Sequence, residues 1–185
     1  MEIRVNGQLQ RGVTAKDITL AVIGETGTAV ADFVESLGGG VTRVFRFNAD
    51  TQGYDSFRVG VPAFLNSVTS LQQGDALFLD STTTATVDQL DALVEGAPQM
   101  IALHEGWNLV SYTGVSGAMV DIFADLDSLS AAFVFDAATQ GWLSYRVGQP
   151  AFLSQITELQ RLQPVFLNLG SAATWTVVNG SPFAP

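Results

Sequence analysis

The stretch FRFNADTQGYDSFRVGVPAFL, residues 45–65, returns 88 residues later as FVFDAATQGWLSYRVGQPAFL, residues 133–153. Fourteen of the 21 aligned positions are identical, and others are conservative, such as Tyr54 against Trp142. Agreement of this length at a fixed spacing indicates internal duplication rather than chance. Within each copy, apolar residues alternate on both sides of a turn that contains polar residues and glycine, which predicts a β-hairpin.

The repeat extends in both directions from this hairpin. Residues 71–87 align with residues 159–177 downstream, and residues 17–37 align with residues 106–126 upstream at an offset of 89, which matches Ile18 with Trp107. The chain is therefore divided into a lead-in, a first unit, a linker, a second unit and a tail, at residues 1–12, 13–87, 88–100, 101–178 and 179–185.

Each unit is predicted to hold about five strands and one or two short helices. ITLAVI (18–23) and WNLVSY (107–112) read as strands, whereas residues 29–37 and 118–126 space apolar residues at helical intervals. PVFLNL (164–169) and ATWTVV (173–178) are expected to pair with each other. One unit has too few strands to cover both faces of its sheet. We therefore expect a mainly β fold with a few short helices (α+β), in which two duplicated units form one pseudo-twofold body.

The hairpin turn carries residues with special backbone chemistry. Asn48 and Asp136 are expected to accept hydrogen bonds from the turn backbone, and Gly53 and Gly141 to supply a positive φ at the turn exit.

The end of the repeated phrase predicts a strand stop. Proline has no amide hydrogen for a β-ladder, so Pro62 and Pro150 should end the return strand. The apolar pairs that follow, Phe64–Leu65 and Phe152–Leu153, are expected to plug the core beneath.

The charge of the chain excludes several partners. The formal net charge is −10 and Lys16 is the only lysine, so binding to nucleic acid or to an anionic membrane surface is not expected. The absence of cysteine excludes disulfides, iron–sulfur ligation and thiol catalysis. No apolar run approaches the roughly 20 residues of a membrane helix, so membrane insertion is not expected. The polar N-terminus does not read as a signal peptide.

Residues 103–178 carry a motif of the form LxxGWNLVS, then FxFDxxTxxWxxY, then LxxLxxxF. This pattern resembles a repeated module of large bacterial surface proteins of Chloroflexi-like origin. The first unit matches it less well, because Asp17 and Ile18 replace Gly106 and Trp107. The resemblance implies an extracellular, non-catalytic β-module, and it brings no catalytic residues or cofactor.

Residues 12–29, GVTAKDITLAVIGETGTA, resemble a segment of the isopropylmalate dehydratase large subunit and other aconitase-like enzymes. That family requires three cysteines for its iron–sulfur cluster, and this chain has none, so its chemistry is not transferred. The resemblance implies a helix with a capping box at Thr14 and Asp17. The internal alignment and the β-branched content of residues 18–23 favour a strand.

A catalytic or metal site has little support in the sequence. His104 is the single histidine, and a serine triad would need Ser111, Ser116 or Ser144 beside it. One histidine without cysteine argues against a zinc site, because such sites use several histidine or cysteine ligands. The acidic cluster of Asp121, Asp125 and Asp127 has helical spacing and reads as a solvated helix face. A different stretch, the turn that contains Asn48 and Asp50, is the alternative place for a cation.

Five residues are the candidates for ligand binding. Arg58 and Arg146 are the repeated charges, and each could stack on a neighbouring ring or pair with a carboxylate. Tyr54, Trp142 and Trp175 could present aromatic faces to a sugar.

The sequence therefore predicts a non-catalytic module used for structure, adhesion or self-assembly. The resemblance to surface proteins implies an extracellular or cell-surface location, and the cytoplasm is the alternative because no signal peptide is recognised. The partner of the module would be another copy of itself, since β-edges without lysine invite edge pairing. A carbohydrate-binding module is the alternative. An enzyme with a carboxylate- or hydroxyl-based site between the units is a third hypothesis.

Overall fold

A computed structural model describes residues 3–5, 8–10, 18–21, 27–37, 39–72, 74–82, 86–87, 96–136, 139 and 141–180. The strands of this part are β1 (Ile3–Val5), β2 (Gln8–Gln10), β3 (Ile18–Ala21), β4 (Thr28–Ala29), β5 (Val41–Asn48), β6 (Gly53–Arg58), β7 (Ser70–Leu71), β8 (Ala76–Ser81), β9 (Thr86–Val87), β10 (Pro98–Leu103), β11 (Gly106–Ser111), β12 (Gly117–Ala118), β13 (Leu129–Asp136), β14 (Gly141–Arg146), β15 (Glu158–Leu159), β16 (Pro164–Leu169) and β17 (Ala173–Val178). The helices are α1 (Val30–Ser36) and α2 (Met119–Ile122), and single 3-10 turns span Ala63–Leu65 and Ala151–Leu153. The protein is thus mainly β, as the sequence predicts.

Two four-stranded antiparallel sheets organise the molecule, in the orders β3-β8-β5-β6 and β11-β16-β13-β14. The hairpin β5–β6 and the hairpin β13–β14 lie where the sequence predicts them. Both long strands also shift register at corresponding places, between Val41 and Arg43 in β5 and between Leu129 and Ala131 in β13. The two sheets therefore share strand order and the position of a β-bulge.

The strand predicted at residues 18–23 is present over the described residues 18–21. Ile18 lies opposite Leu79 in β8, and Asn108 occupies the matching place opposite Leu167 in β16. The register therefore aligns Ile18 with Asn108, one residue away from the sequence alignment that matched it with Trp107. The predicted capping box upstream lies outside the described residues.

The last two strands of the second unit do not pair with each other, which corrects the prediction for residues 164–178. β16 lies between β11 and β13, whereas β17 pairs with β10, which begins at Pro98 inside the stretch assigned to the linker. The reason is the core: Trp175 of β17 stacks on Tyr112 and contacts Phe123, so β17 covers the second unit's apolar interior.

The two helices differ in length. α1 agrees with its apolar spacing and buries Val30, Phe33 and Val34. α2 is one turn, shorter than the helix predicted over residues 118–126. Asp125 and Asp127 lie just beyond its C-terminal end, where negative charge opposes the helix macrodipole.

Each large sheet has one aliphatic face and one aromatic face. The aliphatic faces pack in two separate cores with α1 and α2, and each fully buried leucine there contributes about 1.5–3 kcal/mol. The aromatic faces meet each other, with ring centroids 5.2 Å apart for Phe47 and Phe166 and 6.3 Å apart for Phe78 and Phe166. The join between the two sheets is therefore built mainly of rings.

Candidate functional site: a ring-lined cleft and two apolar tips

An open cleft of about 410 Å³ lies where the two aromatic faces separate. In the described part of the chain its lining is wholly aromatic, and we call it the ring cleft: Phe45, Tyr54, Phe78, Phe135 and Trp142. Tyr54 is 55% exposed and Trp142 is 41% exposed, and both rings lie about 6 Å from that of Phe78. Two of the predicted ligand-binding residues are thus brought together in one cleft.

In the second sheet, Trp107 covers the two phenylalanines that correspond to Phe45 and Phe78 of the ring cleft. In the second sheet, the indole of Trp107 packs edge-on against Phe133 at 5.5 Å and Phe166 at 6.2 Å. Their counterparts in the first sheet are Phe45 and Phe78, both in the cleft lining. Among the described residues, no ring contacts both Phe45 and Phe78 in this way.

Tyr54 is the cleft residue with a polar end. Partial burial raises the pKa of its hydroxyl above the ordinary value, because the ring surroundings disfavour the charged phenolate. The hydroxyl therefore remains a neutral donor and acceptor at physiological pH.

The PAFL segments are exposed, which corrects the prediction that they plug the core. Phe64 and Phe152 are each 84% exposed, and Leu65 and Leu153 are more than half exposed. We call residues 59–65 the first tip and residues 147–153 the second tip. Each tip is closed by a 3-10 bond, which the amide of the leucine donates to the proline carbonyl at 3.0 and 2.9 Å.

The chain that follows each tip explains this exposure. In the first unit, Asn66 Oδ1 accepts a bond from the Arg58 amide at 2.9 Å, and Ser67 Oγ accepts one from the Ser56 amide at 2.8 Å. The backbone therefore folds against the open edge of β6, and the tip is pushed outward. The second unit repeats the arrangement on β14 with Ser154, Gln155, Arg146 and Ser144.

A second edge, that of β11, is covered by the first unit. Gln52 Oε1 accepts a bond from the Trp107 amide at 2.8 Å, and Gln52 Nε2 donates to the Trp107 carbonyl at 3.0 Å. The Ser111 amide donates to the Gly74 carbonyl at 3.1 Å. The edges of β6, β11 and β14 are therefore covered by other parts of the chain. Because they are not open, the expectation of edge-to-edge pairing with another copy does not hold at these strands.

The hairpin turn places Gln52 for this contact. Asn48 Oδ1 accepts bonds from the amides two and three residues later, at 3.0 and 3.2 Å, as predicted. Gln52 itself has the positive φ, 52°, whereas Gly53 and Gly141 have none, which corrects the expected position. At Asp136, the carboxylate accepts a bond from the Thr139 hydroxyl at 2.7 Å.

The three remaining candidates have different surroundings. Arg58 and Arg146 are exposed at the base of each tip, and the ion pairs of the described residues do not include them. Trp175 is only 4% exposed and stacks on Tyr112 at 5.8 Å, so it offers no free face to a ligand, contrary to expectation. Burial raises the pKa of Tyr112, whose hydroxyl donates to the Val115 carbonyl at 2.7 Å.

A second, polar cleft of about 270 Å³ lies between the units, and its lining includes His104 and Asp75. His104 Nδ1 lies 3.1 Å from Asp50 Oδ1, so the turn considered as an alternative cation site holds a histidine–carboxylate pair. The Asp75 carboxylate is paired with Arg46 at 3.2 Å.

The serines considered as partners of His104 make other bonds. Ser111 donates to the Asp75 carbonyl at 2.9 Å, and Ser116 Oγ accepts a bond from the Arg161 amide at 2.9 Å. Ser144 donates to Gln155 Oε1 at 3.0 Å. The three aspartates of the acidic cluster are exposed, as a solvated face predicts. Within the described ranges, no three His, Asp or Glu side chains converge as metal ligands would.

No family model matches the sequence, and no solved structure matches the fold. Over the residues that the structure describes, no helix has the length and apolar character needed to cross a membrane.

Proposed function

We propose that the protein is a non-catalytic structural or adhesive module of two duplicated β-rich units, which associates through its apolar tips. The observation that carries this proposal is the pair of exposed phenylalanines, Phe64 and Phe152. Apolar side chains displayed at matching places in two units are typical of an interaction surface rather than of a fold requirement.

The repeat itself supports a binding role for the tips. Six of the seven tip positions are identical between residues 59–65 and 147–153, although most of these side chains lie outside the core. Core positions of the same sheets differ between the units, as in the pairs Val41 and Leu129, Val44 and Ala132, and Leu77 and Val165. The tip residues are therefore nearly identical in the two units, although packing of the core does not require this. The resemblance to bacterial surface modules supports an extracellular setting.

The test is the size of the protein in solution over a wide concentration range, by light scattering and sedimentation velocity. Wild type should form larger species as concentration rises, and the double variant Phe64→Ser/Phe152→Ser should remain monomeric. Val120→Ser is the matched control, because Val120 is 64% exposed but lies on α2. A wild type that stays monomeric at every concentration would contradict self-association.

The alternative function is carbohydrate binding at the ring cleft, where Tyr54 and Trp142 are both accessible. Aromatic faces suit sugar rings, but sugar sites also converge several polar groups, and the described lining offers only the polar atoms of these two side chains. Glycan binding that disappears in Trp142→Ala would favour this alternative over self-association.

A further inference from the structure

The ring cleft and the tips are complementary surfaces on one chain. The cleft is an open space of about 410 Å³ among aromatic side chains, and each tip holds an aromatic side chain that is 84% exposed. We propose that the ring cleft receives Phe64 or Phe152 from the tip of a second copy of this chain. This proposal rests on the self-association argued above and names its contact.

The second sheet shows how an aromatic ring packs at the place that corresponds to the ring cleft. There the matching place against Phe133 and Phe166 is filled from within the chain by the indole of Trp107, at centroid distances of 5.5 and 6.2 Å. Edge-to-face packing at such distances is the favourable geometry for aromatic pairs. In the counterpart place, Phe78 contacts Tyr54 and Trp142, but no ring of the described residues contacts both Phe45 and Phe78 as Trp107 contacts Phe133 and Phe166.

A tip cannot fill the cleft of its own molecule. Tyr54 closes the cleft near the start of β6, and the first tip begins after Arg58 at the end of the strand, about 13 Å away at the usual rise per residue. The second tip is separated from Trp142 in the same way along β14. Because tip and cleft are different surfaces, the contact is heterologous and joins copies head to tail.

Charge favours the same partner. Arg58 and Arg146 place a positive charge at the base of each tip, and the tips contain no acidic residue. The whole chain carries a formal charge of −10, so the net charge of the next copy attracts the arginine at the base of a tip.

The area of the contact sets its expected strength. One phenylalanine buries roughly 150–250 Å², so a tip supplies less than the roughly 800 Å² per partner of a standard stable interface. The contact should be weak and reversible for a single pair of molecules, and larger assemblies should appear only as concentration rises.

Complementation between two variants tests the contact. Phe64→Ser/Phe152→Ser removes the tips and leaves the cleft, whereas Tyr54→Ser opens the wall of the cleft and leaves the tips. Each variant alone should associate about tenfold or more weakly than wild type, since burial of one phenylalanine is worth at least that factor in affinity. Mixed together, they should form complexes in sedimentation velocity. The Tyr54→Ser variant supplies intact tips, and the Phe64→Ser/Phe152→Ser variant supplies intact clefts that receive them.

The possible outcomes distinguish a failure of the tip-to-cleft contact from a failure of self-association as a whole. If Tyr54→Ser alone assembles as wild type does, the cleft is not the receptor, although self-association stands. If the mixture forms no complex although circular dichroism shows both variants folded, the tip-to-cleft contact is overturned. A wild type that remains monomeric throughout overturns the contact and the proposed function together. Val120→Ser should leave assembly unchanged.

Discussion

Gly114 is a residue whose lack of a side chain the fold requires. It is buried next to Tyr112, and a Cβ at this position would overlap the phenol ring and hydroxyl of that tyrosine. Tyr112 is itself fixed by its bond to Val115 and by stacking on Trp175. We therefore expect Gly114→Ala to lower the free energy of unfolding by about 1–3 kcal/mol, as overpacking does. Urea denaturation measures this change.

Gly53→Ala is the matched control for that substitution. A Cβ on Gly53 would meet its nearest neighbour, Thr51 Oγ1, at 3.6 Å, an ordinary contact, and the φ of Gly53 is not positive. Its loss of stability should be clearly smaller than that of Gly114→Ala. Equal effects in the two variants would show that the Tyr112 overlap does not govern the first.

At the residue level, the sequence predicts which hydrogen bonds a side chain makes better than it predicts whether that side chain is buried or exposed. The backbone bonds of Asn48 follow from the short reach of its side chain, so they could be predicted locally. The exposure of Phe64 and the burial of Trp175 depend on which elements pack above them, and no local pattern contains that information. The identity of the tips between two copies was the signal that could have suggested a surface role.

The segments behind the tips act as caps for edge strands. Asn66→Ala removes the acceptor of the Arg58 amide and should cost about 1 kcal/mol, the usual net value of such a bond. The more specific readout is amide hydrogen exchange, which should become faster at Arg58 at the end of β6. Ser154→Ala is the control from the second unit, where the corresponding bond is longer, 3.4 Å. Unchanged exchange at Arg58 in the Asn66 variant would count against the capping role.

At the level of elements, periodicity predicts strands but not their partners. The alternation of apolar residues gives β5, β6, β13 and β14 correctly, and the short turn between them leaves only one pairing. β17 was predicted as a strand, but its partner is β10, because the interior of the second unit needs Trp175 as a cover. Partner choice of this kind depends on long-range packing, which local propensity does not encode.

At the scale of the molecule, the repeat predicts two similar units but not which faces meet. The alternating strands give each sheet one aliphatic and one aromatic face, and either face could in principle have been the join. The rings meet because the aliphatic faces are already covered by α1 and α2. The ring cleft is a consequence of this choice, so it could not be derived from one unit alone.

Phe166 is the residue that couples the two sheets most directly. Its ring contacts Phe47 and Phe78 of the first sheet and Trp107 and Trp142 of the second, with centroids 5.2–6.3 Å apart. Phe166→Ala should lower the free energy of unfolding by about 3–5 kcal/mol, since the cavity is shared by four other rings. The readout that distinguishes coupling is hydrogen exchange, which should become faster in β5 and β8 as well as in β13 and β16.

Leu159→Ala gives the matched comparison, because Leu159 is fully buried in the core of the second unit and is not part of the aromatic join. It should also destabilise the protein by about 2–5 kcal/mol, but its effect on hydrogen exchange should centre on the second unit. If Phe166→Ala leaves exchange in β5 and β8 unchanged, the rings fill space between two independent units. Faster exchange in both sheets instead means that the aromatic join makes one cooperative body, and that a ring docked in the cleft would stabilise both units at once.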